Sequence, residues 1–268
     1  MPSFFHRYLW MAAVALLLIG PMAPALRAAP LTIVNSGFED TSGQTVFNEF
    51  TFGTPTGWAI HDPNNIVPDP NVFTGTLLPN GTDFFSAPAP EGSRVAILFN
   101  AGQRDAGEYG YVQVLGDTLQ ANTRYTLSVE VGNIASGFAT NNDFFNLDGF
   151  PGYRVDLLAV TLDGGGGITG STVIAQDLNT LVIPEGEFLT STLAVDVGAL
   201  NSNLGERIAI RLVNLNATPG DPGPPDLEVD FDNVRLDAET IVLTEPGMTI
   251  LFGLGLAGLA LRRRNERG

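Results

Sequence analysis

The stretch RYTLSVEVGN, Arg124–Asn133, decides how the chain folds. Tyr125, Leu127, Val129 and Val131 fall on one face of an extended backbone, with Thr126, Ser128 and Glu130 on the other. A period of two with one apolar face marks a strand half-buried in an antiparallel sheet. ERIAIRLVNL, Glu206–Leu215, repeats the pattern, with Ile208, Ile210, Leu212 and Asn214 set against Ala209, Arg211 and Val213. Outward from these two, similar runs occupy Arg94–Asn100, Tyr109–Gly116, Tyr153–Asp163, Phe188–Gly198 and Glu228–Ala238, divided by Gly, Pro, Asn and Asp. No convincing amphipathic helix lies between them. About eight to ten such strands without helical crossovers predict an all-β fold, an antiparallel jelly-roll β-sandwich. It is flanked by an N-terminal signal-peptide helix and a C-terminal hydrophobic helix. Three long loops are expected, at 62–90, 135–152 and 217–226.

Composition narrows the function. The 268 residues contain no cysteine, and all 13 cationic side chains are arginine. Disulfides, thiolate zinc sites and cysteine nucleophiles are excluded. From Pro30 to Thr244 there are 27 acidic residues against 7 arginines, a net charge of −20. Such a body repels nucleic acid phosphates and anionic headgroups and tolerates divalent cations or neutral ligands such as sugars.

Both ends read as addresses. Arg7 precedes an apolar run from Tyr8 to Ile19, followed by Gly20-Pro21 and Ala23-Pro24-Ala25. That is the three-part layout of a secretory signal peptide, assigned to residues 1–29. At the other end, Gly253-Leu254-Gly255-Leu256-Ala257-Gly258 matches a dinucleotide-binding fingerprint in letters only. Too little chain remains beyond it for a βαβ unit and its acidic residue. Met248–Leu261 is an uncharged run of 14 residues; as a helix it spans about 21 Å, short of a ~30 Å hydrocarbon core. Arg262, Arg263, Arg264 and Arg267 come next, which the positive-inside rule places in the cytoplasm.

The order Thr244-Glu245-Pro246, a Gly/Leu-rich span, then Arg262, Arg263 and Arg264 resembles the PEP-CTERM sorting signal. Glu245 and Pro246 match the motif, and Thr244 replaces its first proline. The resemblance implies export by an exopolysaccharide-producing Gram-negative bacterium and processing of residues 244–268 by an exosortase-type protease. The tail would hold the chain in the inner membrane at least for a time. It also implies a place in the cell envelope, on the outer surface or outside the cell.

The body, residues 30–240, resembles the galactose-binding-domain-like jelly rolls that include many carbohydrate-binding modules. IVNSGFED at Ile33–Asp40, TPTGWAI at Thr54–Ile60 and EVDFDNVRL at Glu228–Leu236 carry the likeness. The resemblance implies a structural Ca²⁺ held by Glu39 and Asp232, although Asp230 and Asp232 share a strand face that could equally be solvent-facing. A sugar site is expected at Phe144, Phe145 and Tyr153 with Asn142 and Asp143, where aromatic and amide groups alternate in one loop. Trp58 reads as core. The body has one histidine, His61, and no nucleophile-elbow or paired metal-binding histidine motif, and nothing selects a carboxylate pair. The expected role is therefore non-enzymatic: an exported envelope or matrix protein that binds exopolysaccharide. The alternatives are a structural or adhesive surface protein without a ligand, and a secreted carbohydrate-active hydrolase.

Overall fold

Arg124–Asn133 lies in the larger of two stacked sheets, one strand in from its edge. The computed structural model describes residues 28–101, 105–217 and 227–241, and every regular element among them is a strand. In chain order these are β1 (Ala29–Pro30), β2 (Thr45–Phe47), β3 (Phe50–Phe52), β4 (Ala59–His61), β5 (Val72–Leu77), β6 (Val95–Asn100), β7 (Tyr109–Thr118) and β8 (Thr123–Asn133). They continue with β9 (Gly137–Phe138), β10 (Phe144–Phe145), β11 (Tyr153–Leu162), β12 (Ile168–Leu178), β13 (Glu187–Val197), β14 (Arg207–Asn214) and β15 (Leu227–Thr240). The larger sheet runs β13-β8-β15-β6-β5-β3-β2, with β1 also on β15; the smaller runs β12-β11-β14-β7-β4. All the pairs are antiparallel, as the alternating pattern requires.

The predicted inward residues meet between the sheets. Tyr125, Leu127, Val129 and Val131 of β8 pack with Ile208, Ile210 and Leu212 of β14 and with Tyr153, Val155 and Leu157 of β11. Buried tyrosines need partners for their hydroxyls, and here they tie the layers together. Tyr111 on the smaller sheet donates to Ile97 O at 2.9 Å and accepts from Gly75 N at 2.7 Å, both on the larger sheet. Gly75 is required there, because a Cβ would strike the carbonyl of Thr51 on the adjacent strand. Trp58 is core, stacked on Phe38 with ring centroids 5.3 Å apart.

Tyr153 is also enclosed. Its hydroxyl donates to Asp177 Oδ2 at 2.6 Å, and Ser191 Oγ donates to the same oxygen at 2.5 Å. Tyr153→Phe removes one of these charge-assisted bonds and leaves Asp177 less well solvated. We expect a loss of about 1–3 kcal/mol, read as a fall of a few degrees in Tm by calorimetry.

The seven strands expected from the sequence are present as β6, β7, β8, β11, β13, β14 and β15. Two further strands of six residues or more join them. β5 falls inside the expected 62–90 loop, and β12 is an edge strand exposed along most of its length, so it lacks a one-sided apolar pattern. The signal-peptide helix, the C-terminal hydrophobic helix and most of the 217–226 loop lie outside the described residues.

Candidate active site

The site begins with a change of parity in β15. Val229 and Phe231 point into the sandwich, so Glu228, Asp230 and Asp232 point out of the larger sheet. Uninterrupted alternation would send Val234 and Leu236 outward too, yet both are buried in the core. A β-bulge between Asp232 and Arg235 resolves this, with Asn233 in the left-handed region at φ 52°. A bulge inserts one residue and so reverses the facing of the next side chains along the strand. The three outward acids nevertheless do not face water: their exposures are 2%, 0% and 0%.

They are covered by a second apolar layer. Leu77, Val95 and Ile97 on the outer face pack under Phe84, Phe85, Ile134, Ala139 and Leu147 from the two long connections. Gly132 stands directly across from Asp230, and a Cβ there would collide with the Phe188 ring. Phe188 in turn stacks on Phe85 at 4.4 Å. Asp230 is thereby sealed beneath aromatic rings.

Glu228 is differently placed. It lies opposite Phe99 on β6 and lines a cavity of ≈ 160 Å³. The remaining walls are Phe47, Phe50, Phe52, Phe73, Ile97, Phe99, Phe145 and Leu147, so Glu228 is the one polar side chain among them. Exposed Phe144 and Phe138, in contact with each other at 5.2 Å, belong to the β9–β10 ribbon that also supplies Phe145.

Electrostatics couple the two acids. Burial, and then the adjacent Glu228 charge, push the Asp230 carboxyl well above the usual carboxylate range. Neither Asp230 oxygen accepts a hydrogen bond, because as carboxylates the two neighbours cannot donate to each other. Protonated Asp230 can donate to Glu228, and the pair then shares a proton. This constellation is a proton store in an aromatic cavity. It can lend a proton to an apolar substrate and stabilise cationic character with ring faces.

The expected ligand residues divide. Phe145 lines the cavity, and Phe144 stands exposed beside it. Asn142 and Asp143 sit at the exposed tip of the β9–β10 ribbon, where Asn142 has φ 67°. Tyr153 is fully buried between the sheets, where no ligand can reach its ring.

Glu39 and Asp232, the expected calcium ligands, converge on one segment. Glu39 accepts from Ser93 N and Arg94 N at 2.7 Å, and Asp232 accepts from Glu91 N at 2.7 Å. A Cβ at Gly37 or Gly92 would collide with the carboxylates of Glu91 or Glu39, so both glycines make room for acids. Burial, assisted by the Glu91 and Glu39 charges, pushes Asp232 up to about 8. The all-oxygen donor set suits calcium. Among the described residues, however, no three acids or histidines converge tightly enough to hold an ion by themselves, so backbone carbonyls or water would have to complete the shell.

Sequence reasoning passes over Glu228 and Asp230. The available signal is the alternation Glu-Val-Asp-Phe-Asp, which marks an outward acidic face; its burial comes from the connections packed over it and leaves no local trace.

Comparison with known proteins bears on this geometry. Residues 29–237 match the HpiC1 cyclase family, and residues 244–264 match the PEP-CTERM protein-sorting motif. A search of curated proteins returns no match. Among solved structures, a Stig cyclase, Fisc, from Fischerella sp. TAU in complex with (3Z)-3-(1-methyl-2-pyrrolidinylidene)-3H-indole is similar at 36% identity. The alignment covers 81% of this chain and 100% of that one, with a TM-score of 0.66. A cyclase from Fischerella sp. TAU in complex with 4-(1H-indol-3-yl)butan-2-one matches at 36%, over 80% of this chain and 100% of that one, also at TM-score 0.66. An apo-form cyclase from Fischerella sp. matches at 34% identity, 80% and 98% coverage and TM-score 0.65. The xylan-binding domain of Paenibacillus barcinonensis Xyn10C aligns at only 12% identity and TM-score 0.40, too distant to support sugar binding. The expectation of a non-enzymatic protein is therefore corrected, because the body matches a family of cyclases. The sorting motif supports export and membrane-associated processing of the exosortase type, as the tail implied.

Proposed function

The chain belongs to the HpiC1 cyclase family, and from that premise we propose that it is an exported cyclase that rearranges an apolar aromatic substrate by acid catalysis. One observation carries the reading: Glu228 is the single polar side chain in a cavity walled by six phenylalanines. A cyclisation of this kind is mass-neutral. The single proton shared by Asp230 and Glu228 passes through Glu228 to a substrate π bond. A neighbouring π bond attacks the resulting cation, and the Glu228 carboxylate takes a proton back from the product cation. No redox partner is consumed. The phenylalanine faces disperse the transient positive charge, and the apolar lining offers the cation no polar neighbour other than the carboxylate.

The substrate class is argued from the walls and from the relatives. The Fischerella structures hold indole compounds, and a planar ring suits an aromatic slot of ≈ 160 Å³. 4-(1H-Indol-3-yl)butan-2-one is therefore the probe for binding. Calorimetric titration should give a one-to-one complex that weakens at least tenfold in Phe99→Asp. Equal affinity in the two proteins would place the ligand elsewhere.

We also propose a structural Ca²⁺ at Glu39 and Asp232, supported by the oxygen donor set and by the glycines that let the Glu39 and Glu91 carboxylates approach the backbone. Calcium would brace the 91–94 segment against β15 and take no part in the reaction. Millimolar Ca²⁺ should raise Tm, since a ligand bound only by the native state stabilises it, and EGTA should reverse the rise. Glu39→Gln should abolish the increment; an unchanged Tm in the native chain counts against both ligands.

A further inference from the structure

The two covalent ends of the domain and its catalytic cavity occupy opposite poles. β1 pairs Ala29 with Ala238 and Pro30 with Asp237, Thr240 lies opposite Thr123, and Ile241 N donates to Asn122 O. The N- and C-terminal segments thus both leave from the pole built by residues 117–123 and 237–241. Glu228 and Phe99 lie at the other end of the same sheet. Twelve residues of one strand separate Glu228 from Thr240, about 40 Å at the usual rise of a strand. From Thr240 to Met248, where the apolar run begins, eight residues reach at most about 28 Å. The connection is shorter than the domain it carries. A body of net charge −20 is pushed away from an anionic bilayer rather than laid flat on it.

We propose that the pole at residues 117–123 and 237–241 faces the membrane while the C-terminal segment is in place, and that the cavity opens away from it. The tethered precursor is then already a working cyclase, and cleavage at the sorting motif changes where the enzyme is without changing its turnover. This rests on the cyclase reading for its activity arm and on the sorting motif for the tether; the orientation arm is independent of catalysis.

The absence of cysteine makes the test clean. Gln120→Cys, exposed at the proposed membrane pole, and Val46→Cys, 64% exposed beside the cavity mouth, are each labelled with a fluorophore in the full chain. The labelled chains are then reconstituted in phosphatidylcholine–phosphatidylglycerol vesicles carrying a headgroup spin label. Quenching at position 120 should exceed that at position 46 at least threefold; equal quenching, or more at 46, overturns the orientation. All described strands end by Thr240, so a chain ending at Leu243 keeps the fold. Its kcat/KM should match that of the vesicle-bound full chain within twofold, and a gain of tenfold or more on truncation overturns the proposal that the precursor is active. If neither form turns over a substrate but the quenching contrast holds, the orientation stands and the cyclase reading fails.

Discussion

Glu228→Gln should lower kcat by about 10²–10⁴-fold, the usual span for loss of a positioned general acid, while leaving ligand affinity within a few-fold. The amide keeps the size and planarity of the side chain and can still donate a hydrogen bond, but it cannot surrender a proton. The other walls of the cavity are apolar and Asp230 is not among them, so no other lining group can deliver the proton. The discriminating pattern is a collapse in kcat with calorimetric binding of the indole probe retained. Loss of both would assign Glu228 to binding, and retention of both would remove it from the reaction.

Asp230→Asn should change the pH dependence of stability and lower turnover. In the native chain, burial and the Glu228 charge hold the Asp230 carboxyl protonated well above its unfolded value near 3.8. An acid whose pKa is raised by folding contributes stability below the unfolded value and loses it as pH climbs toward the folded one. Native Tm should therefore decline from about pH 4 upward, and Asp230→Asn should flatten that decline at fixed calcium. Turnover of the variant should fall as well, because an amide at position 230 has no proton to pass to Glu228, and kcat should drop at least tenfold. An unchanged kcat would mean that Asp230 only shapes the packing beside Glu228.

Much of this architecture is legible in the chain. The alternation at Tyr125–Val131 and Ile208–Leu212 identifies the inner faces, because burial of one face of a strand leaves a period-two trace. The C-terminal order of Glu245-Pro246, apolar span and arginines identifies the address, because it is linear and needs no fold. The site is not readable in the same way. Glu228, Asp230 and Asp232 look like a solvent face until the 79–90 and 134–149 connections are seen to fold over them. The bulge at Asn233 hides the switch in facing that separates these acids from the inward Val234 and Leu236. Six phenylalanines gather from β2, β3, β5, β6 and β10, which are distant in sequence and adjacent only through sheet order. Lone aromatics in a loop suggest a sugar platform; assembled, they enclose a carboxyl.

Acid-catalysed cyclisation at Glu228 is tested most directly by the mass of the product. The purified chain, in buffer without added cofactor, is incubated with 3-substituted indoles that bear an alkene and followed by liquid chromatography with mass spectrometry. We expect a new compound isobaric with its substrate, formed by the native chain and absent with Glu228→Gln. A product heavier by one water, or an isomer formed equally by the variant, would contradict this chemistry.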